Sequence, residues 1–146
     1  MENETAVRRW HTAISASAED AVAAISELME PDIDYYPVRK FPEARPCHGR
    51  DDLARFLVGY LESWSLSDWK VNELFEVGDD RVLVCAELVA EGQGSGIRLE
   101  GDLYHCYWLR HARFLRIEDH LTLMGALYAL GLEGDTIEAA GLRGSR

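Results

Sequence analysis

The hydrophobic pattern of this chain changes once, from helical spacing in the first part to alternating spacing in the second. Val7, Trp10 and Ile14 recur at helical intervals, and a second helical stripe ends before Pro31. A third helical stripe begins after Gly49 and contains Leu53, Phe56, Leu57, Tyr60, Leu61 and Trp64. The first part of the chain is therefore predicted to form three helices.

The second part of the chain is predicted to form strands that hairpin turns connect. Alternating or strongly apolar residues occupy the ranges 69–77, 81–91, 97–110 and 113–121, with a shorter strand at 32–38 and a helical tail over 123–142. Helices followed by hairpin-linked strands are typical of α+β domains. We therefore expect a curved antiparallel sheet wrapped around the N-terminal helices, with a cone-shaped central cavity.

Composition and charge argue against several classes of function. The formal net charge is −11, and a strongly acidic chain is poorly suited to bind nucleic acid or an anionic membrane. The acidic start differs from a secretory signal, and no apolar run reaches the roughly 20 residues of a membrane span, so we expect a cytoplasmic protein. The three cysteines and five histidines show no metal-ligand spacing, and we expect neither a metal nor a cofactor. His11 and His111 are predicted to be exposed to solvent.

One carboxylate lies where an apolar residue is expected. If residues 114–121 form a strand, Asp119 points to the same face as Leu115, Ile117 and Leu121. A carboxylate on a buried face needs a hydrogen-bonding partner or a cavity that it lines. Asp119 is therefore the best candidate catalytic residue, and the alternative is a structural carboxylate bonded to the backbone or to a histidine.

His105 is the second candidate catalytic residue. If Arg110–Arg113 is the hairpin turn, His105 lies opposite Glu118, and a one-residue change of the turn places it opposite Asp119. A His–Asp pair would fix the imidazole tautomer and form an acid/base couple. The alternative is a core histidine that is satisfied by a backbone group.

Both faces of the long strand 97–110 are largely apolar or aromatic. The second face carries Tyr104, Cys106, Trp108 and Arg110. An antiparallel sheet with helices on one side usually presents polar residues to water on the other. We therefore expect a homodimer formed through the outer sheet face, with Tyr104 and Trp108 in its interface.

Several short motifs occur in an order that covers nearly the whole chain. They are a helix that runs into Met-Glu-Pro-Asp-Ile over 21–33, Cys-His-Gly-Arg-Asp-Asp-Leu at 47–53, Gly-Asp-Asp-Arg-Val at 78–82, Gly-Ser-Gly-Ile-Arg-Leu-Glu at 94–100, Trp-Leu-Arg at 108–110 and Ala-Leu-Tyr-Ala-Leu-Gly-Leu at 126–132. Through these motifs the chain resembles the nuclear transport factor 2-like superfamily, and within it the SnoaL-like branch that includes polyketide cyclases and ketosteroid isomerase.

This resemblance implies that residues 1–146 form a single domain of that cone-shaped fold. It does not imply one activity, because members of the superfamily include isomerases, cyclases, dehydratases, epoxide hydrolases and non-catalytic binders.

The residues that ketosteroid isomerase uses are not present at the matching positions. Its tyrosine donor on the first helix matches Trp10, and its aspartate base matches Tyr36. Its second donor, a protonated aspartate, falls near Tyr104 or His105. Steroid isomerisation by that machinery is therefore not expected. Cyclases of the SnoaL type carry an aspartate base on the last strand, and the resemblance places Asp119 in that region.

Five aromatic residues are candidates for lining the mouth of the cavity and binding substrate: Trp10, Tyr35, Tyr36, Tyr60 and Trp64. The alternative for each is packing in the core. Strand alternation points Tyr35 inward, whereas the match to ketosteroid isomerase points Tyr36 inward, and a bulge would reconcile the two.

These features predict a protein that binds a small, apolar organic molecule in a hydrophobic pocket. One hypothesis is a cofactor-free enzyme in which Asp119, assisted by His105, removes an acidic C–H proton or activates water. Isomerase, cyclase, dehydratase and hydrolase chemistry all fit this description. The other hypothesis is a non-catalytic ligand-binding or interaction protein. An open cavity in which Asp119 meets a second polar group favours the enzyme, and a cavity plugged by aromatic side chains favours the second hypothesis.

Overall fold

The computed structural model describes residues 2–38, 44–92, 94 and 96–145, except for the side chains of 64–68, 144 and 145. The helices in these ranges are α1 (Glu2–Ala16), α2 (Ala18–Leu28), α3 (Arg50–Ser63) and α4 (Leu123–Ala129). The strands are β1 (Met29–Tyr36), β2 (Cys47–His48), β3 (Trp64–Val77), β4 (Arg81–Gly92), β5 (Arg98–Arg110), β6 (Arg113–His120) and β7 (Gly144–Ser145). None of the described helices is both long and apolar enough to span a membrane.

These strands form one curved, mixed sheet in the order β2-β1-β6-β5-β4-β3-β7. Strands β3 to β6 follow one another as antiparallel hairpins, which confirms the predicted α+β class. The sheet is not antiparallel throughout, because β1 and β6 run in the same direction. A parallel pair needs a long crossover connection. The chain supplies it by passing through α3 and strands β3 to β5 before it returns beside β1.

Helices α1, α2 and α3 cover the inner face of the sheet, where the larger core forms. Val7, Trp10 and Ile14 of α1 are buried in this core, as their helical spacing predicts. The alternate residues of β5 that are buried on the same side are Leu103, His105, Tyr107 and Leu109. Strand β5 therefore places two polar side chains, those of His105 and Tyr107, on its buried inner face.

Helix α2 passes into β1 without a loop. Ser17 caps the start of the helix with its hydroxyl group, which accepts a hydrogen bond from a backbone N–H of the first turn. The helix ends at Leu28, so β1 begins earlier than the sequence pattern predicts. Pro31 lies inside β1, where the pairing with β6 shifts between Met29 and Asp34, and such irregular positions tolerate proline.

A two-residue turn connects β5 and β6. His111 and Ala112 have φ angles of 52° and 60°, as expected for a type I′ turn, and Arg110 pairs with Arg113 on either side of it. The predicted position of this turn is confirmed.

A β-bulge follows this turn on β6. Leu109 pairs with Phe114, whereas the next pair joins Trp108 to Arg116. Strand β6 therefore contains one extra residue, Leu115, and every pair beyond it is shifted by one position.

The C-terminal tail packs on the outer face of the sheet. The helix predicted over 123–142 is wrong beyond Ala129, since the following residues form turns in which Gly131, Gly134 and Gly141 adopt positive φ. A second core forms between the tail and the sheet, and its buried members are Phe75, Val77, Leu83, Cys106, Ala126, Leu127 and Leu130.

The outer face from which the homodimer was predicted is thus covered in part by the chain itself. Tyr104 and Trp108 are half-buried there and pack against the second core. The tail therefore covers part of the apolar outer face from within the same chain. The homodimer stays a prediction.

Candidate active site

Asp119 is a buried carboxylate with two hydrogen-bond donors. It lies on β6, and only 2% of its side chain is exposed. The Tyr35 hydroxyl donates to Oδ2 at 2.5 Å, and Nδ1 of His105 lies 2.6 Å from Oδ1. Two donors on one carboxylate offset the cost of burying its charge. The structure thus brings the two predicted catalytic residues together.

The bulge in β6 sets the register that brings this pair into contact. His105 and Asp119 are direct cross-strand partners, and Cys106 lies opposite Glu118. With the turn alone, His105 would have faced Glu118. The extra residue Leu115 supplies the one-residue change that the sequence left open, although the change arises within the strand and not in the turn.

Tyr35 is the first-strand tyrosine that faces inward. Burial raises the pKa of Tyr35 well above 10, and the negative charge of Asp119 raises it further, so the hydroxyl stays protonated and donates. Tyr36 points to the opposite face, where its ring centroid lies 4.4 Å from Cζ of Arg116 and 6.2 Å from the His48 ring. The alternative that pointed Tyr36 into the cavity is therefore wrong, because β1 alternates regularly at its end.

The second ring nitrogen of His105 is left for another partner. With Nδ1 bonded to Asp119, Nε2 is buried and has no hydrogen-bond partner among the described residues. The imidazole packs among other rings, with centroid distances of 5.4 Å to Trp69, 5.2 Å to His11 and 6.1 Å to Tyr107. A neutral imidazole that donates from Nδ1 carries a lone pair on Nε2 and can accept a proton there.

His11 is buried, and the prediction that it is exposed is wrong. It retains an exposure of 4%, and its Nε2 lies 2.6 Å from the Tyr107 hydroxyl. Burial lowers the pKa of His11 well below 6.5, and electrostatic interactions with His105 and Arg8 lower it further. Burial also raises the pKa of Tyr107 well above 10, with a smaller contribution from the charge of Asp119. Both groups are therefore neutral near pH 7.

A small cavity adjoins the His105–Asp119 pair. Its volume is about 20 Å³, which is room for about one water molecule. The residues that line it are Trp10, Ile14, Tyr35, Leu53, Trp69, His105, Tyr107, Ile117 and Asp119. The lining is apolar and aromatic apart from the hydrogen-bonding groups of Tyr35, His105, Tyr107 and Asp119.

The five aromatic candidates for substrate binding are distributed unevenly around this cavity. Trp10 and Tyr35 line it. Tyr60 lies one layer behind, with its ring centroid 5.9 Å from that of Trp69. Tyr36 is on the outer face, and the side chain of Trp64 lies outside the described part of the chain. Their role in binding stays a prediction.

The arrangement is suited to acid/base chemistry. His105 carries a candidate proton acceptor, Asp119 can stabilise the imidazolium that forms, and Tyr35 holds the other carboxylate oxygen. Within the described ranges, no group of three His, Cys, Asp or Glu side chains is placed to hold a metal ion.

Three residues of this region were missed from the sequence: His11, Trp69 and Tyr107. Two of them had a detectable signal, because Tyr107 follows His105 on the same strand face and His11 lies between Val7 and Ile14 at helical spacing. Nothing in the sequence distinguished Trp69 from an ordinary core residue, because inward tryptophan side chains are common on buried strands.

Comparison with protein families agrees with this fold. The family model described as the SnoaL-like domain matches residues 7–121. The chain belongs to the SnoaL-like domain family. No curated protein matches its sequence at a significant level.

Solved structures of low sequence identity share the fold of this SnoaL-like chain. A candidate SnoaL-like polyketide cyclase from Jannaschia sp. CCS1 is 16% identical with a TM-score of 0.70, over 91% of this chain and 94% of that one. TerC, co-crystallised with polyporic acid, is 19% identical with a TM-score of 0.69, over 89% and 98%. A candidate polyketide cyclase from Sinorhizobium meliloti is 22% identical with a TM-score of 0.62, over 80% and 94%.

Proposed function

We propose that this protein is a cofactor-free acid/base enzyme that acts on a small, mostly apolar organic molecule. The observation that carries the proposal is the buried contact of 2.6 Å between His105 and Asp119, with Nε2 of the same histidine left without a partner among the described residues. Orphaned buried nitrogen atoms are rare in folded proteins and call for an explanation. Transfer of a substrate proton to Nε2 of His105 supplies that explanation.

The roles of the two residues follow from their hydrogen bonds. Both oxygens of Asp119 are engaged, one by Tyr35 and one by His105, so Asp119 acts through His105. His105 accepts a proton at Nε2 and becomes an imidazolium, which Asp119 stabilises across its short contact. Return of the proton to another substrate atom restores the neutral imidazole. This cycle fits isomerase, cyclase and dehydratase chemistry, and it fits hydrolase chemistry when the proton comes from water.

Two features support an apolar organic substrate. The walls next to the pair include Trp10, Trp69 and aliphatic side chains, so much of the lining is apolar. Among proteins of this fold, TerC was co-crystallised with polyporic acid, and other members are candidate polyketide cyclases. These similarities support a small organic ligand without identifying it.

The size of the cavity favours a second candidate, a non-catalytic binding or interaction protein of the same fold. A cavity of about 20 Å³ does not admit an organic molecule unless the aromatic walls move. In this alternative, the Tyr35–Asp119–His105 hydrogen bonds stabilise the packing of the sheet and have no chemical role.

Turnover of a set of small apolar compounds distinguishes the two candidates. Enolisable ketones in D₂O report C–H exchange, β-hydroxy ketones report dehydration, and aryl esters and epoxides report hydrolysis. The enzyme proposal predicts turnover of at least one class, reduced about 10²–10⁴-fold in Asp119→Asn. Glu118→Gln is the matched control, because it neutralises the adjacent carboxylate, which faces outward toward Arg116.

Binding of a compound without turnover would favour the second candidate. Equal turnover by Asp119→Asn and Glu118→Gln would remove Asp119 from the mechanism.

A further inference from the structure

The His11–Tyr107 contact has no part in the acid/base cycle, although it lies beside it. Tyr107 follows His105 on β5 and lines the same cavity, whereas His11 approaches from α1 and is not among the cavity residues. The Tyr107 hydroxyl and Nε2 of His11 are 2.6 Å apart. Both residues are buried, with 1% of Tyr107 and 4% of His11 exposed. A second polar pair thus reaches the cavity through its tyrosine.

Only one of the two groups can donate in this contact. His11 is neutral near pH 7, because burial lowers its pKa well below 6.5, and a neutral imidazole carries a single N–H. Tyr107 keeps its proton, because burial raises its pKa. Either the hydroxyl donates to Nε2 and the imidazole proton is on Nδ1, or Nε2–H donates to the hydroxyl oxygen.

The surroundings of Nδ1 decide between these arrangements. Nδ1 of His11 is buried and has no hydrogen-bond partner among the described residues. A proton on Nδ1 would be a buried donor without an acceptor, which is costly and rarer than an unused acceptor. With the proton on Nε2, the Tyr107 hydroxyl proton is the one without a protein acceptor, but Tyr107 lines a cavity with room for about one water molecule, which can accept it. The proton is therefore better placed on Nε2, from which it is donated to Tyr107. The hydroxyl proton of Tyr107 is then free to point into the cavity that this residue lines.

We propose that Tyr107, positioned by Nε2–H of His11, is the hydrogen-bond donor that stabilises developing negative charge on an oxygen atom of the bound substrate. The inference rests on the proposed function, in which Nε2 of His105 accepts the proton. Proton acceptor and hydrogen-bond donor then lie on the same face of β5, two positions apart along the strand. When a C–H proton passes to His105, the C–H electron pair moves into the substrate and the charge collects on the oxygen that Tyr107 contacts. His11 is a positioning residue, because it acts through Tyr107.

The tautomer of His11 tests this proposal in the unmodified protein. Histidine labelled with ¹⁵N gives different two-bond couplings from ring protons to Nδ1 and Nε2 in the two tautomers, and the signals are assigned through the backbone. We expect a neutral His11 protonated on Nε2 at pH 7. Protonation on Nδ1 would overturn the proposal, because the Tyr107 proton would then be committed to His11.

Kinetics on the compound that the turnover experiment identifies give a second readout. Tyr107→Phe should lower kcat by about 10²–10³-fold with little change in KM. His11→Gln, whose amide N–H reaches the place of Nε2–H, should retain more of kcat than His11→Leu. Full kcat in Tyr107→Phe would contradict the proposed donor.

The proposed function fails on a different result, namely unchanged turnover in Asp119→Asn. The two proposals can therefore be rejected separately.

Discussion

His105 lies directly opposite Asp119 because the strand that carries Asp119 contains one extra residue, Leu115. The residues are 14 apart in sequence and meet through a contact of 2.6 Å between Nδ1 and Oδ1. Bulges re-aim side chains near functional sites, and here the bulge joins a histidine to a carboxylate in a buried layer. The candidate acid/base pair is thus a product of strand register.

Tyr35 should contribute measurably to stability through its hydrogen bond to Asp119. Tyr35→Phe removes a donor from a buried carboxylate, so we expect the free energy of unfolding to fall by about 1.5–3 kcal/mol. Chemical denaturation measures the change. Tyr36→Phe is the matched control, since Tyr36 lies on the outer face of the same strand, and it should change the free energy by less than about 0.5 kcal/mol. Equal effects of the two substitutions would show that the Tyr35 hydroxyl does not stabilise the fold.

The sequence predicted much of this site because hydrophobic patterns report which side chains share a face. Asp119 interrupts an apolar face, and His105 lies on the inner face of the long strand, so the sequence pattern alone indicates both as candidates. The bulge was not predictable, since strict alternation placed Phe114 on the face opposite to Ile117, whereas both are buried in the inner core. His11 was missed because a histidine at helical spacing was read as exposed.

The tail shows a different limit of sequence interpretation. The apolar outer face was recognised from Tyr104 and Trp108, but the pattern of a face does not state what covers it. Residues such as Leu127 and Leu130 cover part of it within the same chain. Pattern arguments predict burial well and identify the partner poorly, because one apolar surface packs against another with little specificity.

Burial of neutral His11 should make the protein less stable as the pH falls. The unfolded chain binds a proton at this residue near pH 6.5, whereas the folded chain binds it only at a much lower pH. Between these values the unfolded state holds more protons, so the free energy of unfolding decreases on acidification, by up to about 1.4 kcal/mol per pH unit.

Denaturation between pH 7 and pH 5 checks this expectation. His11→Gln should show a shallower slope, and His111→Asn, which replaces an exposed turn histidine, should keep the slope of the unaltered protein. A His11→Gln slope as steep as that of the unaltered protein would contradict the buried neutral state of His11.

The predicted homodimer depends on what remains exposed of the outer face. Trp108 is half-buried and lies beside Arg116, with 5.6 Å between its ring centroid and Cζ. Trp108→Glu places a charge on this face, so light scattering should show a shift from dimer to monomer. Arg55→Glu on α3, away from the outer face, should leave the dimer intact. A monomeric unaltered protein, or a Trp108→Glu dimer, would refute the predicted interface.

The most direct test of the acid/base proposal is the turnover of His105→Asn on the compound that the unaltered protein converts. The asparagine amide can donate to Asp119 from near the place of Nδ1, but it has no basic nitrogen at the place of Nε2. The substitution therefore preserves the structural hydrogen bond and removes the proton acceptor. We predict a loss of about 10²–10⁴-fold in kcat. The variant should remain folded by circular dichroism, with a lower melting temperature because the ring contacts of His105 are lost. Full turnover in His105→Asn would contradict the account and leave His105 and Asp119 as a structural pair.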